Sequence, residues 1–111
     1  MGWPAMSLVC VVLNIAPVLA MAQQPDAQTL TWPERKCVLY QRAWDAALQS
    51  VDQSGVSQTF MAQNDVFVAK GCIERTPVCP RSPAEFEMAN LLTVMTMNEG
   101  MASTFVPFTC P

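Results

Sequence analysis

Sulfur-containing side chains are the residues of this 111-residue sequence whose types and spacing could do chemistry. Cys10 lies in an apolar N-terminal stretch, and Cys37, Cys72, Cys79 and Cys110 are spread over the rest. Without Cys10, the remaining four cysteines are an even number in a short chain, which predicts two disulfides if the chain reaches an oxidising compartment. Their spacing contains no close pair, which a zinc knuckle or a C-x-x-C redox motif would require. We therefore expect structural disulfides and no metal or cofactor.

Four methionines, Met88, Met95, Met97 and Met101, fall close together near the C-terminus. The M-x-M-x3-M spacing of the last three suggests a thioether site for Cu(I). On a helix, however, Met95 and Met97 would lie about 200° apart, and only Met97 and Met101 would be neighbours. Flexible apolar packing is therefore the favoured interpretation, and a Met-based periplasmic Cu(I) carrier is an alternative hypothesis.

The sequence contains no histidine, which removes the commonest general base and the usual partner of a serine or cysteine nucleophile. Carboxylate pairs could act instead, as in glycosidases. Glu85 and Glu87 are two residues apart on a predicted helix and point in different directions, whereas Asp45 and Asp52 would share a solvated face. We interpret all four as surface charges and predict that the protein is not an enzyme.

The first of three predicted helices begins at Thr31, where T-x-x-E with Pro33 forms a capping box with Glu34. Gly55 would end it by taking the left-handed conformation. Apolar residues at helical spacing predict its buried face: Cys37, Tyr40, Trp44, Ala47, Leu48 and Val51.

The second predicted helix runs from Ser57, as N-cap, to about Lys70, with Gly71 as its stop signal. The β-branched and aromatic run 66–68 leaves a strand as the alternative. Two prolines, Pro77 and Pro80, then predict an extended connector.

The third predicted helix begins with a second capping box, from Ser82 to Glu85, and ends near residues 98–100. A short fourth helix over 101–105 is compatible with the sequence, and Pro107 must break whatever precedes it. The predicted fold class is therefore all-α: a small bundle of three helices, or four with the short C-terminal one, stapled by two disulfides.

An up–down–up bundle would bring all four cysteines to one end, with the tail returning Cys110 along the bundle. Among the three connectivities, the preferred pairing is then Cys37–Cys72 with Cys79–Cys110. Each bond would close a loop of some thirty residues and contribute about 3–4 kcal/mol in the chain-entropy model.

An N-terminal export signal is the sequence feature that bears most directly on function. Residues 8–20 are almost all apolar, too few for a comfortable membrane span, and Ala20-Met21-Ala22 has the form that a signal peptidase accepts. The predicted domains are a cleaved signal peptide over 1–22, a flexible N-terminus over 23–30 and one helical domain over 31–111. An uncleaved anchor is the alternative, because no Lys or Arg precedes the apolar stretch. The predicted location is secreted or periplasmic.

The distribution of charged and apolar residues in the sequence predicts a binding protein rather than an enzyme. The net charge is −3 and the six basic residues are scattered along the sequence, which indicates no footprint for nucleic acid or an anionic membrane. No membrane span should remain after signal removal. The third helix is apolar around much of its circumference, so either the tail (Phe105, Val106, Phe108) or another chain must cover it. The predicted interaction surface comprises Met88, Leu91, Met95, Met97 and Met101.

No motif specifies a reaction or a ligand. The function predicted from the sequence is therefore that of a small secreted or periplasmic binding protein, with a protein partner or a homodimer. An envelope chaperone-like or immunity-type protein is an alternative within the same class, and the Cu(I) carrier is an alternative outside it.

Overall fold

Three helices form the framework of the computed structural model, which describes Gly2 and residues 29–111. The predicted signal peptide, its cleavage site and most of the flexible N-terminus lie outside the described residues. No strand occurs among residues 29–111, so the all-α prediction is confirmed and the second segment is a helix. The helices are α1 (Trp32–Ser50), α2 (Gln58–Ala69) and α3 (Pro83–Asn98), with a 3₁₀ turn at Gln53–Gly55. None of the helices over residues 29–111 is both long and apolar enough to cross a bilayer.

A residue with a hydroxyl side chain is the N-cap of each of the three helices, as the sequence predicts. The side-chain oxygens of Thr31, Ser57 and Ser82 each accept a hydrogen bond from the backbone N–H three residues later. These bonds satisfy one of the donors that a helix N-terminus leaves unpaired. The helix boundaries are therefore set by local sequence.

Glycines with positive φ end α2 and α3. Gly71 has φ 73° and Gly100 has φ 91°. In each case the next residue donates its N–H to the carbonyl five positions earlier, from Cys72 to Phe67 and from Met101 to Thr96, both at 3.1 Å. This is the Schellman motif, which needs a residue that tolerates the left-handed conformation.

Gly55 has a different role from the predicted one. α1 ends in extended backbone at Val51, and Gly55 belongs to the 3₁₀ turn that follows. A Cβ built on Gly55 would lie 2.8 Å from the Cβ of Ala84, closer than side chains pack. Glycine is therefore required here because the turn closely approaches the start of α3.

α1 and α2 pack antiparallel through aromatic side chains. The Tyr40 and Phe67 ring centroids lie 5.1 Å apart and those of Trp44 and Phe60 5.6 Å apart. The Tyr40 hydroxyl donates a 2.6 Å hydrogen bond to Asn64 Oδ1 in the buried seam between the helices. Burial raises the pKa of the Tyr40 phenol far above its usual range, so this donor stays protonated.

α3 runs parallel to α2 and antiparallel to α1, which differs from the predicted up–down–up order. The starts of α2 and α3 lie together, because the Ser57 N–H donates to the Glu85 carboxylate at 2.8 Å. The Ser82 hydroxyl also donates to the Gly55 carbonyl at 2.5 Å. The extended connector, residues 73–82, is long enough to return along the whole of α2 before α3 begins. This return is the reason for the difference.

The connector and the tail, residues 101–111, lie side by side and run in the same direction. Arg75 Nη2 donates to the Thr104 carbonyl, and the Val78 N–H donates to the Pro107 carbonyl, both at 3.1 Å. The alternative with a fourth helix over 101–105 is not formed: the segment makes a single turn, closed by the Phe105 N–H on the Ala102 carbonyl at 3.0 Å.

The two disulfides are Cys37–Cys72 and Cys79–Cys110, so the preferred pairing is confirmed. They do not gather at one end of the bundle as expected. Cys72 lies just past the end of α2, whereas the Cys79 N–H donates to the side chain of Gln63, inside α2, at 2.9 Å. We call Cys37–Cys72 the helix disulfide and Cys79–Cys110 the tail disulfide; the latter joins the connector to the tail.

Candidate binding face on helix three

The buried carboxylate of Glu85 fixes the start of α3. It accepts hydrogen bonds from the backbone N–H groups of Ser57 at 2.8 Å, Arg81 at 2.9 Å and Ser82 at 3.4 Å. The interpretation of Glu85 as a surface charge is therefore wrong, because its side chain is 2% exposed. Burial raises the pKa of Glu85, but the three backbone donors lower it more, so the net shift is downward. The ionised carboxylate clamps α3 to α2 and the connector, and its bonded oxygens are not free for acid–base chemistry.

One side of α3 packs against α1 and the core. The buried residues recur at three- and four-residue steps, as expected for one face of a helix. They are Ala84, Glu85, Met88, Ala89, Leu92 and Thr96. The Thr96 hydroxyl, fully buried, donates back to the Leu92 carbonyl at 2.7 Å, so it adds no unpaired polar group to this seam.

The opposite side of α3 carries large apolar side chains that nothing in residues 29–111 covers. Phe86, Val94 and Met97 are 54%, 58% and 48% exposed. With Asn90 between them and half-buried Leu91 beside them, they form a continuous stripe, which we call the α3 face. A shallow groove of about 430 Å³ runs along it, lined by Pro83, Phe86, Glu87, Asn90, Leu91 and Val94.

The tail covers a different part of the molecule. The Phe105 ring lies 6.0 Å from that of Tyr40 and 6.1 Å from that of Phe67, between centroids, and Phe108 stacks on Phe60 at 6.1 Å. These contacts place the tail on α1 and α2, whose core it completes. The prediction that the tail covers the surplus apolar surface of α3 is therefore wrong for the α3 face.

The five residues of the predicted interaction surface separate in the structure. Met88 and Met101 are buried, at 0% and 5% exposure, and so cannot contribute to an exposed surface. Leu91 and Met95 are half-buried, and Met97 is exposed. Met88 is buried because it lies on the same side of α3 as Leu92. Met101 is buried because the turn at Gly100 directs the chain back towards the core.

Phe86 and Val94 belong to the α3 face but were missing from the predicted surface. The signal was in the sequence, because residues 86, 90, 94 and 97 lie on the helix side opposite the capping Glu85 and Leu92. The predicted surface was based mainly on side-chain type, because it followed the clustered methionines. Exposure depends instead on the position of a residue around the helix.

The four clustered methionines do not share one surface. Met97 points to solvent, Met88 and Met101 lie in the interior, and Met95 lines a groove beside α1 with Leu39 and Arg42. Over residues 29–111, no three His, Cys, Asp or Glu side chains converge on a point that could hold a metal ion. The Cu(I) hypothesis stays a prediction that none of these positions supports.

The chemistry available to the α3 face is that of a binding surface. It presents apolar side chains, one amide at Asn90 and one carboxylate at Glu87, and α3 contains no basic residue. No protein-family model, curated protein or solved structure matches this chain. The interpretation of the face therefore depends on its own geometry.

Proposed function

We propose that the protein is a small, non-enzymatic binding protein that is secreted or periplasmic and binds a protein partner through the α3 face. The observation that carries the proposal is the uncovered apolar stripe of Phe86, Val94 and Met97 on a helix whose other side is fully packed. A contiguous apolar stripe, unlike single exposed apolar residues, is typical of interaction sites.

The disulfides and the predicted export signal together support the proposed compartment. Disulfides persist in extracellular and periplasmic proteins, and both bonds join segments far apart in the sequence. The predicted signal peptide over residues 1–22 supplies the route to that compartment.

The apolar area of the α3 face favours a transient interaction. A whole aromatic side chain can bury 150–250 Å², so Phe86 at half exposure offers about 100 Å². Val94 and Met97 add roughly as much again, so the face offers about 200 Å² and a gross hydrophobic gain of about 5 kcal/mol at 25 cal/mol per Å². A standard stable interface buries about 800 Å² per partner, so this face alone is too small to sustain an obligate dimer.

The charge of α3 indicates what the partner must add. Glu87 flanks the stripe and no Lys or Arg of α3 balances it. A second copy of the same face would bring a second unbalanced carboxylate to the contact and no basic residue of α3. We therefore propose a partner that offers an apolar helix or strand with basic residues beside it, so that polar contacts supplement the small apolar area.

Site-specific photo-crosslinking in the producing cells tests this proposal. A photoreactive residue at Asn90, in the centre of the stripe, should give one discrete heterologous adduct. Val94→Glu in the same chain should abolish it, because the carboxylate would be desolvated on binding. A probe at Val66, an exposed apolar position on α2, is the matched control.

Three outcomes would contradict the proposal. An adduct of twice the protein's mass would assign the face to a homodimer, and concentration-dependent size analysis would confirm that assignment. No adduct at Asn90, or equal adducts at Asn90 and Val66, would show that the α3 face binds no specific partner.

A further inference from the structure

Four of the six basic residues of the protein gather at one end of the bundle. Arg35 and Lys36 lie in the first turns of α1, and Lys70 caps the end of α2. The helix disulfide joins these two ends, and Arg75 follows in the connector. In the sequence the four residues are spread over forty positions and look scattered, whereas the fold brings them together.

The charge balance of this end differs from that of the rest of the described chain. Two acidic side chains accompany the four basic ones: Glu34, and Glu74, whose carboxylate lies 3.5 Å from Lys70 Nζ. Elsewhere in residues 29–111 there are two basic and six acidic side chains. Of these six, Asp65 lies five residues before Lys70 in α2, and Glu99 lies farther along α1 in a groove with Arg42. The molecule therefore has one positive end on an acidic body.

Two large apolar side chains protrude from the same end. Ile73 is 73% exposed, the highest value among the large hydrophobic residues of the described chain, and Trp32 is 44% exposed. The Arg35 guanidinium lies 5.4 Å from the centroid of the Trp32 ring, within cation–π range. We call Trp32, Arg35, Lys36, Lys70, Ile73 and Arg75 the basic pole.

A groove within the basic pole lies between Lys36 and Arg75, the two basic side chains best placed to contact an anion. Its volume is about 240 Å³, and Lys36 and Arg75 stand beside an apolar floor that includes Phe67 and Phe105. Lys36 Nζ lies 5.1 Å from the centroid of the Phe105 ring, and Arg75 is held by its bond to the Thr104 carbonyl. Both cations are therefore positioned by the fold rather than free on long side chains.

We propose that the basic pole docks on an anionic lipid surface. Ile73 and Trp32 enter the interfacial region, where an amphipathic indole is favoured, and the basic side chains contact headgroup phosphates. A soluble polyanion or an acidic protein would use the charges but would gain little from an isoleucine that projects beyond them. The proposal concerns different residues from the α3 face and does not depend on the proposed function.

Sedimentation of the processed protein, purified from the producing cells after removal of the predicted signal peptide, with lipid vesicles tests the docking. Vesicles of phosphatidylcholine alone are compared with vesicles of equal parts phosphatidylcholine and phosphatidylglycerol. Binding should require the anionic lipid and weaken with added salt. The double variant Lys36→Gln, Arg75→Gln should lower the partition coefficient about 25-fold, since each basic residue near an anionic surface contributes about fivefold. Ile73→Ser should lower it about tenfold through lost apolar burial.

Matched variants away from the basic pole serve as controls. Arg42→Gln with Arg81→Gln removes the same charge, and Val66→Ser removes another exposed apolar side chain. Both should leave the partition coefficient within about twofold, because surface charges act over a limited distance. Trp32→Phe supplies a second readout: the blue shift of tryptophan emission that docking causes should disappear in this variant.

Each contrary result would overturn the proposal. Equal binding to both vesicle types would remove the role of charge. Equal losses of the partition coefficient in the basic-pole variants and the control variants would show that binding does not depend on the basic pole. Binding to heparin as tight as to vesicles, and insensitive to Ile73→Ser, would assign the pole to a soluble polyanion. Far-UV circular dichroism of each variant excludes unfolding as the cause.

Discussion

Replacing Glu85 by glutamine should remove the clamp that holds the starts of α2 and α3 together. The carboxylate accepts three backbone N–H groups, from Ser57, Arg81 and Ser82. Glutamine keeps one acceptor oxygen, but in either orientation its NH₂ group faces at least one of those donors. Hydrogen bonds to a charged group contribute about 1.5–3 kcal/mol each. We therefore expect the free energy of unfolding to fall by about 2–4 kcal/mol, measured by urea denaturation at neutral pH.

The pH dependence of that loss distinguishes the ionised carboxylate from simple packing. The pKa of Glu85 is lowered from its ordinary value of 4.5 in the folded protein, so the unfolded chain binds the proton more readily. The stabilisation is fully present above the unfolded pKa and is lost as pH falls through the folded one. The difference in the free energy of unfolding between the wild type and Glu85→Gln should therefore decrease on acidification from about pH 7 to below about pH 4.

Glu87→Gln is the matched control, because Glu87 is exposed and lies two residues along the same helix. Its effect should stay within about 0.5 kcal/mol, as for other surface substitutions. Equal losses in the two variants, or a Glu85→Gln loss that does not change with pH, would refute the carboxylate clamp.

Three further substitutions test the packing around the site. Gly55→Ala should destabilise by about 1–3 kcal/mol and lower Tm, because the new methyl group would lie 2.8 Å from Ala84 Cβ. Tyr40→Phe should cost about 1–3 kcal/mol in urea denaturation, because buried Asn64 Oδ1 loses its donor. Replacing both cysteines of the tail disulfide by serine opens a loop of 31 residues and should cost about 3–4 kcal/mol, measured by thermal denaturation without reductant.

Local signals in the sequence predicted the helices and their ends. Thr31, Ser57 and Ser82 cap the helices that they were expected to cap, and Gly71 ends α2 in the left-handed conformation. These outcomes depend on residues within one turn of each boundary, which is why the sequence alone predicts them. The preferred disulfide pairing was also correct, although it was derived from the wrong helix order.

Long-range relations were predicted less well, because they depend on where the connector leads. Proline spacing predicted an extended connector but not its direction along α2, so the parallel order of α2 and α3 was missed. Glu85 was recognised as a capping residue, whereas its bond to Ser57, 28 positions away, could not be read from local spacing. The basic pole was missed for the same reason, because Lys36 and Arg75 are far apart in the sequence and line one groove only in the folded chain.

The two proposed surfaces can operate at the same time, because they lie on different parts of the bundle. The basic pole is at the end where α1 begins, and the α3 face lies along the side, centred on Asn90. A molecule docked by Ile73 on a lipid surface would leave that side open to a partner. Val94→Glu should therefore abolish the crosslink at Asn90 without changing vesicle binding. Ile73→Ser should weaken vesicle binding without changing the crosslink at Asn90. A loss of both activities in either variant would show that the surfaces are coupled, and the separation argued from the fold would be wrong.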